Sequence, residues 1–295
     1  MAGTRDIKRR IRSVRSTKKI TRAMQMVSAA KMRKAQAAVS ASRSYSELAW
    51  QIIKNLSKKI DPKYHSLLQA PQNNKKTGVI LISSNRGLIG SFNTNLILAT
   101  KKYIADNAPG SELVADIIAV GRKGRDAMLR VGNTIFAEFD KVDRTVRLEE
   151  VLPIGQLIID EYIKGTYGKI AIAYTHFNST ISQKPVIKQL LPLPEQEHPE
   201  GLPQEIGRQH YQYLFEPDPQ QVLDYLLPRI LESQIYQAIL ESDASEHSSR
   251  MVMMKNATDA ATDLIDDLTL AYNKMRQANI TKELAEITAG KIALE

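Results

Sequence analysis

The pattern of apolar and polar positions changes texture twice along the 295 residues. From about Thr4 to Ile60 it is helical: Ile7, Ile11 and Val14 open an apolar stripe that thins to Met24, Val27 and small alanines. No glycine or proline follows Gly3 there, and the stretch is rich in Ala, Lys, Arg, Met and Gln, all good helix formers. Asp61-Pro62 and the polar run Gln72–Lys76 end the segment. As one helix it would extend about 80 Å at ~1.5 Å per residue, with a stripe too sparse for a core of its own.

Between about Thr77 and Tyr213 the pattern alternates. Gly78–Ser83 reads as a buried strand, followed by a glycine turn and a helix over Thr94–Asp106. Strands are predicted at Leu113–Val120, Thr134–Phe139 and Lys169–Phe177, with helices after Gly121–Gly124 and over Val146–Tyr162. Pro185–Leu191 is expected to pair with the last long strand through a turn at Asn178–Gln183. Strands alternating with helices predict a mostly parallel α/β sheet. Six prolines between Pro192 and Pro219 mark a linker.

Asp218-Pro219 is a helix N-cap and first-turn pair. From there on only Pro228 and Gly290 interrupt helix-forming sequence. Met254, Ala257, Ala261, Leu264, Leu268, Ala271, Met275 and Ala278 step alternately by three and four, a 3.5-residue repeat and thus a left-handed coiled-coil seam. Beyond it the seam passes to Ile280, Leu284, Ile287 and Leu294. A long helix at each end and an α/β segment between them predict an antiparallel coiled coil of the termini. The expected organisation is an N-terminal helix over 1–60, an α/β domain over 77–213 and a C-terminal helix over 218–295.

Composition sharpens this. There is no cysteine, which excludes disulfides, thiol nucleophiles and thiol redox switches. No apolar run spans a bilayer, and no secretory leader is evident, so a soluble intracellular chain is expected. The net charge of +9 is unevenly placed: residues 1–43 hold thirteen Lys or Arg against one acid, Asp6, and the remainder holds 28 basic against 31 acidic residues. A basic helix needs an anionic partner. Lys18, Lys19, Arg22, Lys31, Arg33 and Lys34 spread around the helix, and only Tyr45 and Trp50 lie near, so an acidic protein surface fits better than nucleic acid. A nucleic-acid-binding coiled coil stays the alternative.

Candidate chemistry is sparse. Ser84-Asn85-Arg86-Gly87-Leu88-Ile89-Gly90-Ser91 follows a strand and could cradle a phosphate, but no Gly-Lys-Ser/Thr ends it, and a turn shaped for protein contact is the better reading. Gly121-x-x-Gly124 reads as a strand-to-helix turn. His65, His176, His198, His210 and His247 lack metal-ligand spacing, and the pairs Glu149-Glu150 and Asp266-Asp267 read as solvated helix faces. No cofactor, metal or catalytic residue is predicted.

The terminal motifs are specific. Met1-Ala2-Gly3 through Val14, with Thr17–Met32, resembles the N-terminal helix of the gamma subunits of F-type ATP synthases. Arg276–Ile287 with Gly290 resembles the C-terminal signature of the same family, and Ser249–Thr258, Leu227-Pro228-Arg229 and Gly121–Asp126 also match. Three positions depart: Asn85 and Ile89 stand where the family usually has Asp and Cys, and Lys291 follows Gly290 in place of Ala. The cysteine-bearing insertion of the chloroplast type is absent.

The resemblance implies a non-catalytic central shaft, an antiparallel left-handed coiled coil with a Rossmann-like α/β domain inserted. It stands in a ring of three alpha and three beta subunits, with epsilon and a membrane ring of c subunits at its foot. It binds no nucleic acid and no small-molecule substrate. It is peripheral on the cytoplasmic face of a bacterial plasma or thylakoid membrane. By family position Arg276 and Gln277 are the catch for beta, and Lys18, Lys19, Arg22, Met24, Lys31, Arg33 and Lys34 contact the alpha/beta ring. Asn85, Arg86 and Gly87 form a loop contact. Ile287, Ala289, Ile292 and Leu294 form the tip bearing.

Overall fold

Two helices dominate the chain, α1 (Thr4–Ser57) and α5 (Pro219–Ile292), and five strands lie between them in sequence. The computed structural model describes residues 3–57, 65–69, 76–107, 115–142, 146–193 and 218–292. These form two compact units, one from Met1–Ala30 with Arg250–Glu295, the other from Lys31–Ser249.

In the second unit the elements run β1 (Thr77–Ile82), α2 (Phe92–Asn107), β2 (Ala115–Val120), α3 (Arg122–Arg130), β3 (Thr134–Phe139), α4 (Leu152–Ile163), β4 (Lys169–Phe177) and β5 (Gln183–Leu191). The sheet order is β3-β2-β1-β4-β5, with β1 to β4 parallel and β5 antiparallel to β4. This is the α/β sheet the pattern predicts. The helix expected over Val146–Tyr162 is divided into a short 3-10 turn at Leu148–Glu150 and α4, because Pro153 sits in a helical first turn and starts the helix afresh.

Strand alternation assigns the two faces. Val79 and Leu81 of β1 pack with Ile117, Ala119, Leu96 and Ile104 of α2 and Met128 of α3. Ile80 and Ile82 turn to the opposite face, which is covered by Ile154, Ile158 and Tyr162 of α4 and by Leu223, Leu227, Ile230, Leu231 and Ile235 of α5. Burial on both faces explains why β1 and β2 read as continuous apolar runs.

The helix pairing has its own period. On α1 the covered positions include a row of Thr4, Ile7, Ile11, Val14, Lys18, Thr21, Gln25 and Ser28, then Met32, Ala35, Val39 and Ser42, alternating steps of three and four throughout, with Asp6, Met24, Ala29, Lys31 and Ala38 half-buried beside it. On α5 the matching row is Met254, Thr258, Ala261, Ile265, Leu268, Tyr272 and Met275, with Ala257, Thr262 and Thr269 half-buried beside it. The hydroxyls of Thr21 and Thr258 hydrogen-bond at 2.8 Å. Ser42 donates to the Gln237 side-chain oxygen at 2.6 Å, and Ala35 and Val39 cluster with Leu240 and Ala244. Lower numbers on one helix meet higher numbers on the other, so the helices are antiparallel, and the 3.5-residue repeat makes their supercoil left-handed.

Three details of the predicted seam are corrected. Met254, Ala261, Leu268 and Met275 belong to it, but the alternate positions are Thr258, Ile265 and Tyr272: Ala257 is half-buried beside Thr258, and Leu264, Ala271 and Ala278 are exposed. Leu264 is 46% exposed. On α1 the exposed Val27 is replaced in the seam by Gln25 and Ser28, so apolarity alone misplaced the row. Small and hydroxyl-bearing side chains hold it because they let backbones approach and satisfy each other's hydrogen bonds. Ile280, Leu284 and Ile287 do not continue the seam; all three are exposed.

Ile265→Ala should lower the stability of the full chain by about 1–2 kcal/mol, whereas Leu264→Ala should cost less than about 0.5 kcal/mol. Thermal or urea unfolding of the two variants checks the order; equal losses would return Leu264 to the seam.

Candidate interaction surfaces

Three surfaces carry the predicted residues. The first is α1. Lys19, Arg22, Arg33 and Lys34 are exposed, whereas Lys18, Met24 and Lys31 are half-buried. Lys18 falls on the covered row, where its aliphatic stem can lie along the seam with the ammonium at the edge. The basic residues therefore differ in availability, and no single stripe gathers them.

The second is the end of α5. Thr21 opposite Thr258 places Thr4, the first residue of α1, opposite Met275, the last covered residue of α5. From Arg276 to Ala289 every residue is exposed. Arg276 and Gln277 begin this bare stretch, and Ile287 is 70% exposed and Ala289 exposed beyond them. Ile292 closes the helix, and Leu294 lies outside the described residues. Residues 276–289 thus form about 21 Å of unpaired helix at ~1.5 Å per residue.

The third is the loop after β1. Ser84 is its anchor: its amide donates to Asn93 Oδ1 at 3.2 Å, its hydroxyl donates to the Arg86 carbonyl at 2.7 Å, and its carbonyl accepts from Lys123 N at 3.0 Å. Ile89 is buried beneath the loop. Leu88 adopts a left-handed φ of 63° and is 63% exposed, and Gly90 follows at φ 59°. A non-glycine side chain in that region is uncommon and persists only where its surroundings hold it. Sequence reasoning named Asn85, Arg86 and Gly87 and missed Leu88; only the flanking glycines signalled it. Arg86 and Gly87 are exposed, and Asn85 is half-buried.

Asn85 uses both ends of its amide. Oδ1 accepts from Arg122 N at 3.2 Å, and Nδ2 donates to the Lys141 carbonyl at 2.6 Å. An ionised Asp, the usual family residue, only accepts and could not make the second bond. Lys141 itself is buried, with its ammonium 2.8 Å from both Asp243 and Glu246 on α5. Burial alone would push its pKa down, but the two carboxylates overcome that and hold it above the ordinary lysine value.

The Gly121–Gly124 turn is packing. Gly121 has φ 99°, and a Cβ there would lie 2.5 Å from the Ser83 carbonyl; one on Gly124 would lie 2.7 Å from Ser83 Oγ. The two glycines let the start of α3 abut the end of β1, where Ser83 Oγ accepts from Gly124 N at 2.8 Å. The place where a doubly wound sheet takes a ligand, the strand ends at the β1/β4 switch point, is occupied by α5. Ser242 Oγ donates to the Ile82 carbonyl at 3.4 Å and Ser245 Oγ to the Thr175 carbonyl at 3.1 Å. Among the described residues no group of three or more His, Cys, Asp or Glu could hold a metal, and no helix is long and apolar enough to cross a membrane.

Paired antiparallel terminal helices, a Rossmann-like sheet whose ligand crevice is filled by its own helix, and a bare helix end define the fold class. The comparisons make the class specific. A family model described as ATP synthase matches residues 3–294. The ATP synthase gamma chain of Roseiflexus castenholzii is 42% identical over 295 residues, covering 100% of this chain and 99% of that one. The ATP synthase gamma chain of Legionella pneumophila strain Corby is 40% identical over the full length of both. A chain of the Euglena gracilis mitochondrial ATP synthase, in an OSCP/F1/c-ring structure, superposes with a TM-score of 0.67 at 19% identity, covering 99% of this chain and 94% of that one. The chain belongs to the ATP synthase gamma-chain family. As a gamma chain it is a non-catalytic subunit of ATP synthase, and nothing in the comparisons favours the nucleic-acid reading.

Gly121→Ala should cost more than about 2 kcal/mol, since it combines a left-handed φ with a backbone clash. Urea unfolding measures this, and a loss under about 0.5 kcal/mol would show that the Ser83 turn yields.

Proposed function

We propose that this chain is the rotating shaft of a bacterial-type ATP synthase, peripheral on the cytoplasmic face of its membrane. Its helical unit stands in a ring of three alpha and three beta subunits, and its α/β domain meets epsilon and the c-ring. The observation that carries this reading is the unpaired, exposed end of α5 from Arg276 to Ala289. So long a bare helix with apolar Ile280, Leu284 and Ile287 calls for a surrounding surface.

The chain would act by presenting different contacts to each catalytic neighbour as it turns. A ligand or partner shifts an equilibrium only by its differential interaction with the two states. Arg276 and Gln277 supply directional polar contacts at the start of the bare helix, and Lys19, Arg22, Arg33 and Lys34 supply charge for acidic segments of the ring. Lys18, Met24 and Lys31 sit at the edge of those contacts. Asn85, Arg86 and Gly87 form a further contact around Leu88. Ile287, Ala289, Ile292 and Leu294 form a tip without fixed polar partners, suited to sliding.

Arg276→Ala combined with Gln277→Ala should lower the ATP synthesis rate of the reconstituted complex about 5- to 10-fold, the low end of the usual range of coupling free energies, without unfolding the chain. Unchanged torque and synthesis rate would remove these residues from the catch. Co-purification tests the assembly: alpha and beta subunits should accompany the chain in a three-to-three ratio.

A further inference from the structure

Behind the loop after β1 lies a charge cluster that the proposed contacts do not use. Lys141, just after β3, has a side chain only 4% exposed. Its ammonium is shared between Asp243 Oδ1 and Glu246 Oε2, both at 2.8 Å. Asp243 and Glu246 are three residues apart on α5, hence on one face of the helix. The Lys141 carbonyl accepts the Asn85 amide at 2.6 Å, and the same side chain accepts from Arg122 N at 3.2 Å. One residue thus grips α5 with its side chain and the β1 loop with its backbone.

We propose that Lys141 is a positioning residue that clamps the loop at 84–91 to α5. A buried ion triad adds little stability over apolar side chains of the same shape, yet is severe to break from one side. What this one supplies is geometry. Two carboxylates a helical turn apart fix the ammonium, the ammonium fixes the chain at 141, and the Asn85 amide passes that position to the loop. Displacement of α5 is then carried to the exposed Leu88 without slack. Its use in coupling rests on the proposed role of the loop as a contact surface; the clamp itself does not.

The test is hydrogen exchange on the full chain. Lys141→Met combined with Asp243→Asn and Glu246→Gln removes the charges together and leaves no buried carboxylate unpaired. Amides at 84–91 should exchange about ten-fold faster, while those of β1 and of α5 outside 240–249 keep their protection. Lys141→Arg, which keeps both ion pairs, should exchange as the wild type does. Equal loosening of loop and strands, or no loosening, overturns the clamp. Asn85→Asp severs the link at its other end and covers the case where the triple variant does not fold. It should loosen the same loop, and unchanged exchange overturns the proposal. In the assembled enzyme the triple variant should keep its rate of ATP hydrolysis and pump fewer ions per ATP. A loosened loop with unchanged pumping would leave the clamp standing and remove the loop from the coupling contacts.

Discussion

Ser42 meets Gln237 across 195 positions of sequence, and Thr21 meets Thr258 across 237. The pairing of α1 with α5 holds the helical unit together, because neither helix has an apolar face broad enough to stand alone. Long solvated helices draw their stability from packing against a partner. The row that joins them is partly polar, with Thr21, Gln25 and Ser28 on one helix and Thr258 on the other. A buried hydroxyl is satisfied only when its partner lies opposite, so a slip by one heptad would leave these groups unpaired. The seam trades some hydrophobic area for a single register, as polar positions do in other coiled coils.

The same helix does different work in the α/β unit. There α5 lays Leu223, Leu227, Ile230, Leu231 and Ile235 on the sheet. It then buries a polar run in which Ser242 and Ser245 bind the carbonyls of Ile82 and Thr175 at the ends of β1 and β4. Nearby, Glu241 pairs with His176 and accepts from Gln237. Burial would raise the Glu241 pKa, but these hydrogen bonds hold it below the ordinary carboxylate value. A sheet of nucleotide-binding topology has thus become a mounting for a helix, with helix side chains where a ligand would sit.

Much of this was legible in the residues. The strands at Thr134–Phe139 and Lys169–Phe177 match the expected bounds, because turn residues frame both and their β-branched and aromatic content is high. The period of the α5 seam was also legible, but its alternate positions were not. Leu264 looks like seam by hydrophobicity and Thr258 does not, and only the partner helix decides between them. The loop was partly legible. Glycines announce a turn, but no local signal shows that Leu88 takes a left-handed φ or that the Asn85 amide finds the carbonyl of Lys141, 56 positions away. The departure from Asp at position 85, puzzling in the sequence, is explained by that carbonyl, which only a donor can satisfy.

Charge completes the account of how such a subunit can be asymmetric. Within the helical unit, residues 1–30 of α1 carry nine basic side chains and one acid, while residues 250–295 carry six basic and seven acidic ones. Pairing the helices sets a strongly basic side against a nearly neutral one, where Asp259, Asp263, Asp266 and Asp267 are exposed. Charges on opposite sides of a rod are separated by about 20 Å, the width of two packed helices, and the screening length is ~8 Å at physiological salt. Each side is therefore felt separately by whatever faces it. A surrounding set of identical acidic surfaces would meet attraction on one side and near neutrality on the other, which is the differential contact that a turning shaft requires. The asymmetry needs no bend or change of shape in the chain; it follows from placing nearly all of the excess positive charge on one of two paired helices.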